Sequence, residues 1–281
     1  MVETALALPH GHDLPACQHA WQSGFTSLRE ILQVMLDGAR LGGASWVAID
    51  YEAQSGVLRM RDNGSLPCGP LAFNAVRLGL LNAGTSLERF RRDLIRYPAI
   101  LTLAAHCKVL TPTFGVSFSP ALFLAGNPVT PIPHPVLSDG VTIVLKLLPE
   151  WACSTDVMAD YLRRLVTGWP VKVEFNKNDL PRPFALPSEH FTRFAYGHLW
   201  HESGHGPGED YLFLNGLPVV RTHPWAPVHS GGRYCVHLDP EFFAVKPPGL
   251  HHLVGAETML SFLRVEIERI HTVSQPRERW A

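Results

Sequence analysis

The stretch LREILQVMLDGARLGGASWVAIDYEAQSGVLRMRDNG, Leu28–Gly64, decides the fold. Leu28, Ile31, Leu32, Met35 and Leu36 recur at helical spacing. Ser27 is placed to cap that helix, with Glu30 three residues later as in a capping box. Gly38, Gly42 and Gly43 bring it to an end. Two strand-like runs follow, Trp46–Tyr51 and Val57–Arg61, joined by the turn Gln54-Ser55-Gly56, and Asp62-Asn63-Gly64 breaks the second. Glu30, Val34 and Asp37 share one face of the helix. Carboxylates on an otherwise apolar face are costly unless each has a partner or a task.

Outward from this block, residues 1–24 read as an irregular lead-in. Residues 71–81 and 87–108 read as helices, Val116–Leu124 as a strand, and Pro128–Pro135 as a proline-rich loop. Val141–Leu148 is a strongly apolar strand and Asp156–Leu165 a short helix. The pattern then changes to the strands Val171–Phe175, His190–Trp200, Tyr211–Leu214 and Tyr234–His237, separated by glycine-containing turns. A last helix is expected over Ala256–His271. The expected class is α+β. A mixed α/β layer over residues 25–168 is followed, beyond Gly168-Trp169-Pro170, by a smaller α+β unit over 169–281.

Composition narrows the function classes. With 46% hydrophobic and 17% charged residues, the 281-residue chain can bury a sizeable core. A net charge of −1 leaves no global basic field for a phosphate backbone. No uninterrupted apolar stretch is long enough for a spanning helix, and no signal peptide is read at the start. Cys17, Cys68, Cys107, Cys153 and Cys235 are scattered and form no C-x-x-C, as expected of free thiols in a reducing cytoplasmic compartment.

A helix with inward acids, a hairpin and then D-x-G is the element order of the GHKL ATP-binding proteins. That class includes DNA gyrase B subunits, MutL repair proteins, histidine kinases and the large heat-shock chaperones. LREILQVMLDGA resembles the MutL helix that reads roughly K-E-L-V-E-N-S-L-D-A-G, and RMRDNG resembles the I-R-D-N-G strand after it. RYPAILTLAAHCKVLTPT, GVTIVLKLLPEW, KVEFNKNDLPRP and VHLDPEFFAVKPPGLHHL are more weakly similar to later segments of such proteins. The two-domain size also resembles ATP-binding proteins of bacteriophage. The resemblance implies a GHKL, Bergerat-like two-layer sandwich with a mixed sheet, then a transducer-like domain. It implies ATP as ligand, Glu30 as the general base, and a nucleotide site drawn from Asp37, Asp62, Gly64 and Thr142. Asp62 would accept from the adenine amino group, and Gly64 would let the backbone approach the base.

The family pattern fails at the phosphate end. Val34 stands where the family has the asparagine that ligates magnesium, and valine offers no oxygen. Leu66 replaces the second glycine of D-x-G-x-G. The lid segment reads SLERFRRDLIRYP, with no glycine from Thr85 to Phe114. Val141 holds the slot of the threonine that helps bind adenine, with Thr142 adjacent as a substitute. Hydrolysis needs a metal and positioned donors on the phosphates. The expectation is therefore a degenerate, pseudo-ATPase nucleotide-binding or regulatory protein that acts through a protein partner. An active ATPase with unusual metal ligation is the alternative. Dimerisation on lid closure is not carried over, because the lid glycines are missing, and a dimer stays open. Arg89, Arg91, Arg92 and Arg96 form either a replacement anion site or a solvated helix face partnered by Glu88 and Asp93.

His201-Glu202-Ser203-Gly204-His205 matches H-E-x-x-H, the signature of a zinc-dependent hydrolase. That chemistry needs both histidines on one helical turn. The glycines that follow and the alternation of FAYGHLW oppose a helix, so the motif is expected in a hairpin loop, and no metal ligands are assigned.

Overall fold

The computed structural model describes residues 25–69, 72–73, 76, 96–132, 139–202, 209–219, 225–226, 233–245 and 252–274. The chain is α+β, with two mixed sheets and helices packed against them. Helix α1 (Leu28–Leu41) begins where expected: Ser27 is extended and its Oγ accepts from the Glu30 N–H at 3.3 Å. The hairpin β1 (Trp46–Glu52) and β2 (Val57–Asp62) follows, with Val47 opposite Asp62 and Glu52 opposite Val57. Helix α2 (Arg96–Leu103) runs directly into β3 (Ala104–Leu110). Then come β4 (Gly115–Phe118), α3 (Pro120–Leu124), β5 (Thr130–Pro131), β6 (Val141–Leu147) and α4 (Thr155–Val166). Strands β7 (Lys172–Phe175) and β8 (Asn178–Asp179) complete the first sheet.

The first sheet has eight strands in the order β5-β4-β3-β6-β2-β1-β7-β8. Its pairs are antiparallel except β1 with β7. Alternation along β2 and β6 puts Leu58, Met60, Ile143 and Leu145 on the face packed by the helices and leaves Arg59, Arg61 and Lys146 on the other. Helix α1 is buried on nearly every side because α2, α4 and the second unit all pack around it.

The second sheet has the order β12-β11-β13-β10-β9. It is built from β9 (Thr192–Phe194), β10 (Gly197–Glu202), β11 (Tyr211–Leu214), β12 (Leu217–Pro218) and β13 (Arg233–Leu238). Helix α5 (Ala256–Ser274) brings Leu260, Leu263 and Ile267 to the same apolar cluster as Val236, Leu238 and Trp225. The two units are joined tightly. Leu217 packs into the core of the first, Gln33 Nε2 donates to the Pro218 carbonyl at 3.2 Å, and Phe184 N–H donates to the Thr167 carbonyl at 2.9 Å.

Three elements differ from the sequence reading. The helix expected over 87–108 stops at Leu103, because Ala104–Leu110 pairs with β6 and β4 and becomes a strand. The strand expected over Val116–Leu124 ends at Phe118, because Pro120 takes the first position of a helix, where its missing N–H leaves nothing unsatisfied. The single strand expected over His190–Trp200 is a hairpin, β9 and β10, turning before Gly197. Sheet membership also runs past the divide expected at 168–170, since β7 and β8 belong to the first sheet. The helix expected over 71–81 lies mostly outside the described residues. Within them, no helix is long and apolar enough to cross a membrane.

Candidate functional site

The four carboxylate and glycine positions expected to form a nucleotide floor lie on α1 and at the end of β2. Glu30 is buried and turns back on the chain before its own helix. Its Oε2 accepts from the Thr26 N–H at 2.8 Å and its Oε1 from the Thr26 hydroxyl at 2.5 Å. Ser27 satisfies a first-turn donor, the Glu30 N–H, while the Glu30 side chain reaches one residue past the cap to Thr26. Val34 is 1% exposed and belongs to the main apolar core. It thus offers neither an oxygen nor a vacancy for one. Asp37 receives both Nε and Nη2 of Arg40 on Oδ1, each at 2.8 Å. Burial raises its pKa above the ordinary carboxylate value, and Arg40 draws it back down.

Asp62 is the centre of the arrangement. Its Oδ1 accepts from the Gly64 N–H at 2.9 Å, an Asx turn closed two residues on. Its Oδ2 receives Arg96 Nη1 at 2.8 Å, and both side chains have 0% exposure. Each carboxylate oxygen therefore already holds a donor, and one of those donors carries a full charge. Burial pushes the Arg96 pKa down while the Asp62 charge holds it up, so this pair supplies the counter-charge that a buried guanidinium needs. Arg96 Nε and Nη2 have no hydrogen-bond partner among the described residues.

The rest of Asp62-Asn63-Gly64 is also committed locally. Asn63 Oδ1 accepts from the N–H groups of Ser45 and Trp46 at 2.8 and 3.3 Å, and its Nδ2 donates to Ser45 Oγ at 2.8 Å. A Cβ on Gly64 would stand 2.9 Å from Ala44 N and Gly42 O, so glycine is required here by backbone packing alone. Gly140, at φ +70°, faces the Asp62 carbonyl so closely that a Cβ would lie 2.0 Å from it. It leads into Val141, which sits opposite Asp62 across β2 and β6. Thr142 is opposite Arg61 and therefore on the other face of the sheet from Asp62. The structure brings Asp62, Gly64 and Val141 together and keeps Thr142 apart.

Of the four arginines in the expected lid, Arg89, Arg91 and Arg92 lie outside the described residues. Arg96 does not sit on a solvated face: it is buried in the core against Asp62. The sequence held a signal for this. IRYPAILTLAA is apolar all round, so an arginine within it is drawn inside and must find an anion.

His201 and Glu202 are the last residues of β10, not part of a helix. Successive strand residues point to opposite faces, and Glu202 is ion-paired with Arg233 at 2.5 Å. His201 packs against the Tyr234 ring, centroids 4.6 Å apart. Ser203, Gly204 and His205 lie outside the described residues. Among the described residues, no group of three His, Cys, Asp or Glu side chains is placed to hold a metal ion.

Sequence reasoning missed the second face of α1. Arg29 and Gln33, one turn apart, point to the second unit, and Arg29 lines a cavity of about 500 Å³ there. A smaller cavity of about 290 Å³ lies between Arg40, Arg193, His198 and His237. His237 is buried, with Nε2 donating to the Phe184 carbonyl at 2.7 Å, and burial pushes its pKa down to about 4. Compared with known proteins, the chain matches no family model and shows no significant match to a curated protein.

Proposed function

We propose that this chain is a degenerate GHKL-like protein that acts as a binding or regulatory module through a protein partner, without efficient ATP hydrolysis. The observation that carries this reading is the Asp62–Arg96 pair. The carboxylate that would accept from the adenine amino group is occupied on both oxygens, at 2.8 and 2.9 Å. The Asp62 side chain is also fully buried, so an incoming base would have to open the packing around the Asp62–Arg96 pair to reach it, and loosening a buried ion pair is unfavourable. Two further observations support it. Val34 is packed in the core where a magnesium ligand would be needed, and Glu30 is tied to Thr26 instead of standing open to a water molecule.

The test is ATP affinity with and without magnesium, together with phosphate release, on the wild type and Glu30→Ala. The expected result is no magnesium-dependent tightening and no turnover above background in either protein. Tight magnesium-dependent binding, with turnover abolished in Glu30→Ala, would establish the active ATPase instead.

A further inference from the structure

Helix α1 has two committed faces. One carries Val34 into the core of the first unit, and the other carries Arg29 and Gln33 to the second. Between α1, the C-terminal end of α4 and the edge of the second sheet lies the cavity of about 500 Å³. That is ample for a small organic molecule. Arg29 and Arg164 stand on one side of it, Leu212 and Val219 give it an apolar wall, and Glu209 and Asp210 close it on the strand side.

The arginines are only partly neutralised. Arg29 is half-buried and forms no hydrogen bond or ion pair among the described residues. Arg164 is paired with Asp160, Nε to Oδ2, at 3.0 Å. Burial lowers the Arg29 pKa and Arg164 nearby lowers it further, while Glu209 draws it partly back up. Two guanidiniums share one wall, each with a single partial counter-charge, Glu209 for Arg29 and Asp160 for Arg164, and their other N–H donors are available to a bound anion. Arginine's planar fork matches the oxygens of a phosphate or carboxylate.

The opposite wall limits the kind of anion. Asp210 accepts from the Tyr234 N–H through Oδ1 at 2.8 Å, which fixes its carboxylate beside the cavity, and Glu209 adds a second negative charge. A polyanion would meet these carboxylates. A molecule with one anionic group and an uncharged, partly apolar remainder would not.

We propose that this cavity is a binding site for a small organic molecule bearing a single phosphate or carboxylate, held by Arg29 and Arg164 with its body against Leu212 and Val219. The site lies outside the adenine corner and does not depend on whether ATP binds.

Phenyl phosphate and benzoate, titrated separately at constant ionic strength into the full chain, test this by calorimetry and by the methyl chemical shifts of Leu212 and Val219. Saturable binding of either, with those methyls shifting, is expected, and the stronger probe identifies phosphate or carboxylate as the recognised group. Arg29→Gln and Arg164→Gln should each weaken it about tenfold or more, the loss of one charge-assisted contact. Arg164 is largely exposed, so its variant decides the matter where Arg29→Gln fails to fold. Failure of both probes to saturate, or affinity unchanged in the folded arginine variants, overturns the site.

Discussion

Removing the carboxylate of Asp62 separates an adenine-binding acid from a structural one. An acid that waits for a ligand faces solvent in the unliganded protein, and its loss barely alters stability. Asp62 and Arg96 are both fully buried and 2.8 Å apart. At an effective dielectric of 20, two unit charges at that distance attract by about 6 kcal/mol before desolvation is counted. The net worth of such a pair is far smaller, but stripping one partner leaves the other charge buried and uncompensated, at a cost of about 3–5 kcal/mol. Asp62→Ala should therefore lower stability by about that amount. In a chain of this size it corresponds to a fall in Tm of roughly 10 °C. Urea unfolding followed by the fluorescence of buried Trp169, with a thermal scan, measures both. Arg96→Met should cost less, because Asp62 keeps the Gly64 N–H. The double variant should be more stable than the sum of the single losses implies, since no charge is then stranded. A loss under about 1 kcal/mol in Asp62→Ala, or strict additivity in the double variant, would refute the reasoning.

Three further outcomes follow from the same geometry. Gly64→Ala forces a Cβ to 2.9 Å from two backbone atoms and should destabilise by about 1–3 kcal/mol in urea unfolding, with no ligand present. Glu30→Ala removes both bonds to Thr26 and should cost about 1 kcal/mol of stability by the same assay; an unchanged midpoint would show that Glu30 is no cap. His237, with its folded pKa lowered to about 4 from an ordinary 6.5, is neutral in the fold where the unfolded chain binds a proton. Its contribution is complete above pH 6.5 and is lost as pH falls towards 4, about 3 kcal/mol in all. An NMR titration showing the His237 ring protonating near pH 6.5 would contradict this.

Local signals account for most of the fold that could be read in advance. Ser27 with Glu30 marked the start of α1, and Gln54-Ser55-Gly56 marked the hairpin. The apolar run from Val141 marked β6. The failures have two physical sources. Ala104–Leu110 continues an apolar helix without a break residue, so only the alternation of His106 and Lys108 outward with Cys107 and Val109 inward distinguishes it as a strand. That alternation is too short to outweigh the helix before it. Pairing across long sequence distances is invisible to any window. The parallel match of β1 with β7 carries the first sheet beyond residue 170, although the composition changes at 168.

The candidate site shows why a motif fixes positions before it fixes roles. That Glu30 and Asp37 would need partners followed from their place on an apolar helix face, whereas the burial of Asp62 is seen only in the fold. The identity of the partner decides between chemistry and structure, and it comes from elsewhere in the fold. For Glu30 it is Thr26, four residues back, within reach of a capping argument. For Asp37 it is Arg40, one turn on and equally local. For Asp62 it is Arg96, thirty-four residues away in a segment that resembled a solvated lid. An acid whose partner is local can be given a structural role from the sequence. One whose partner is distant reads as unpaired, and an unpaired buried acid reads as a site. The adenine reading of Asp62 came from the resemblance of Asp62-Asn63-Gly64 to the family D-x-G, and its ion pair with Arg96 is the reason to test this corner as a closed one.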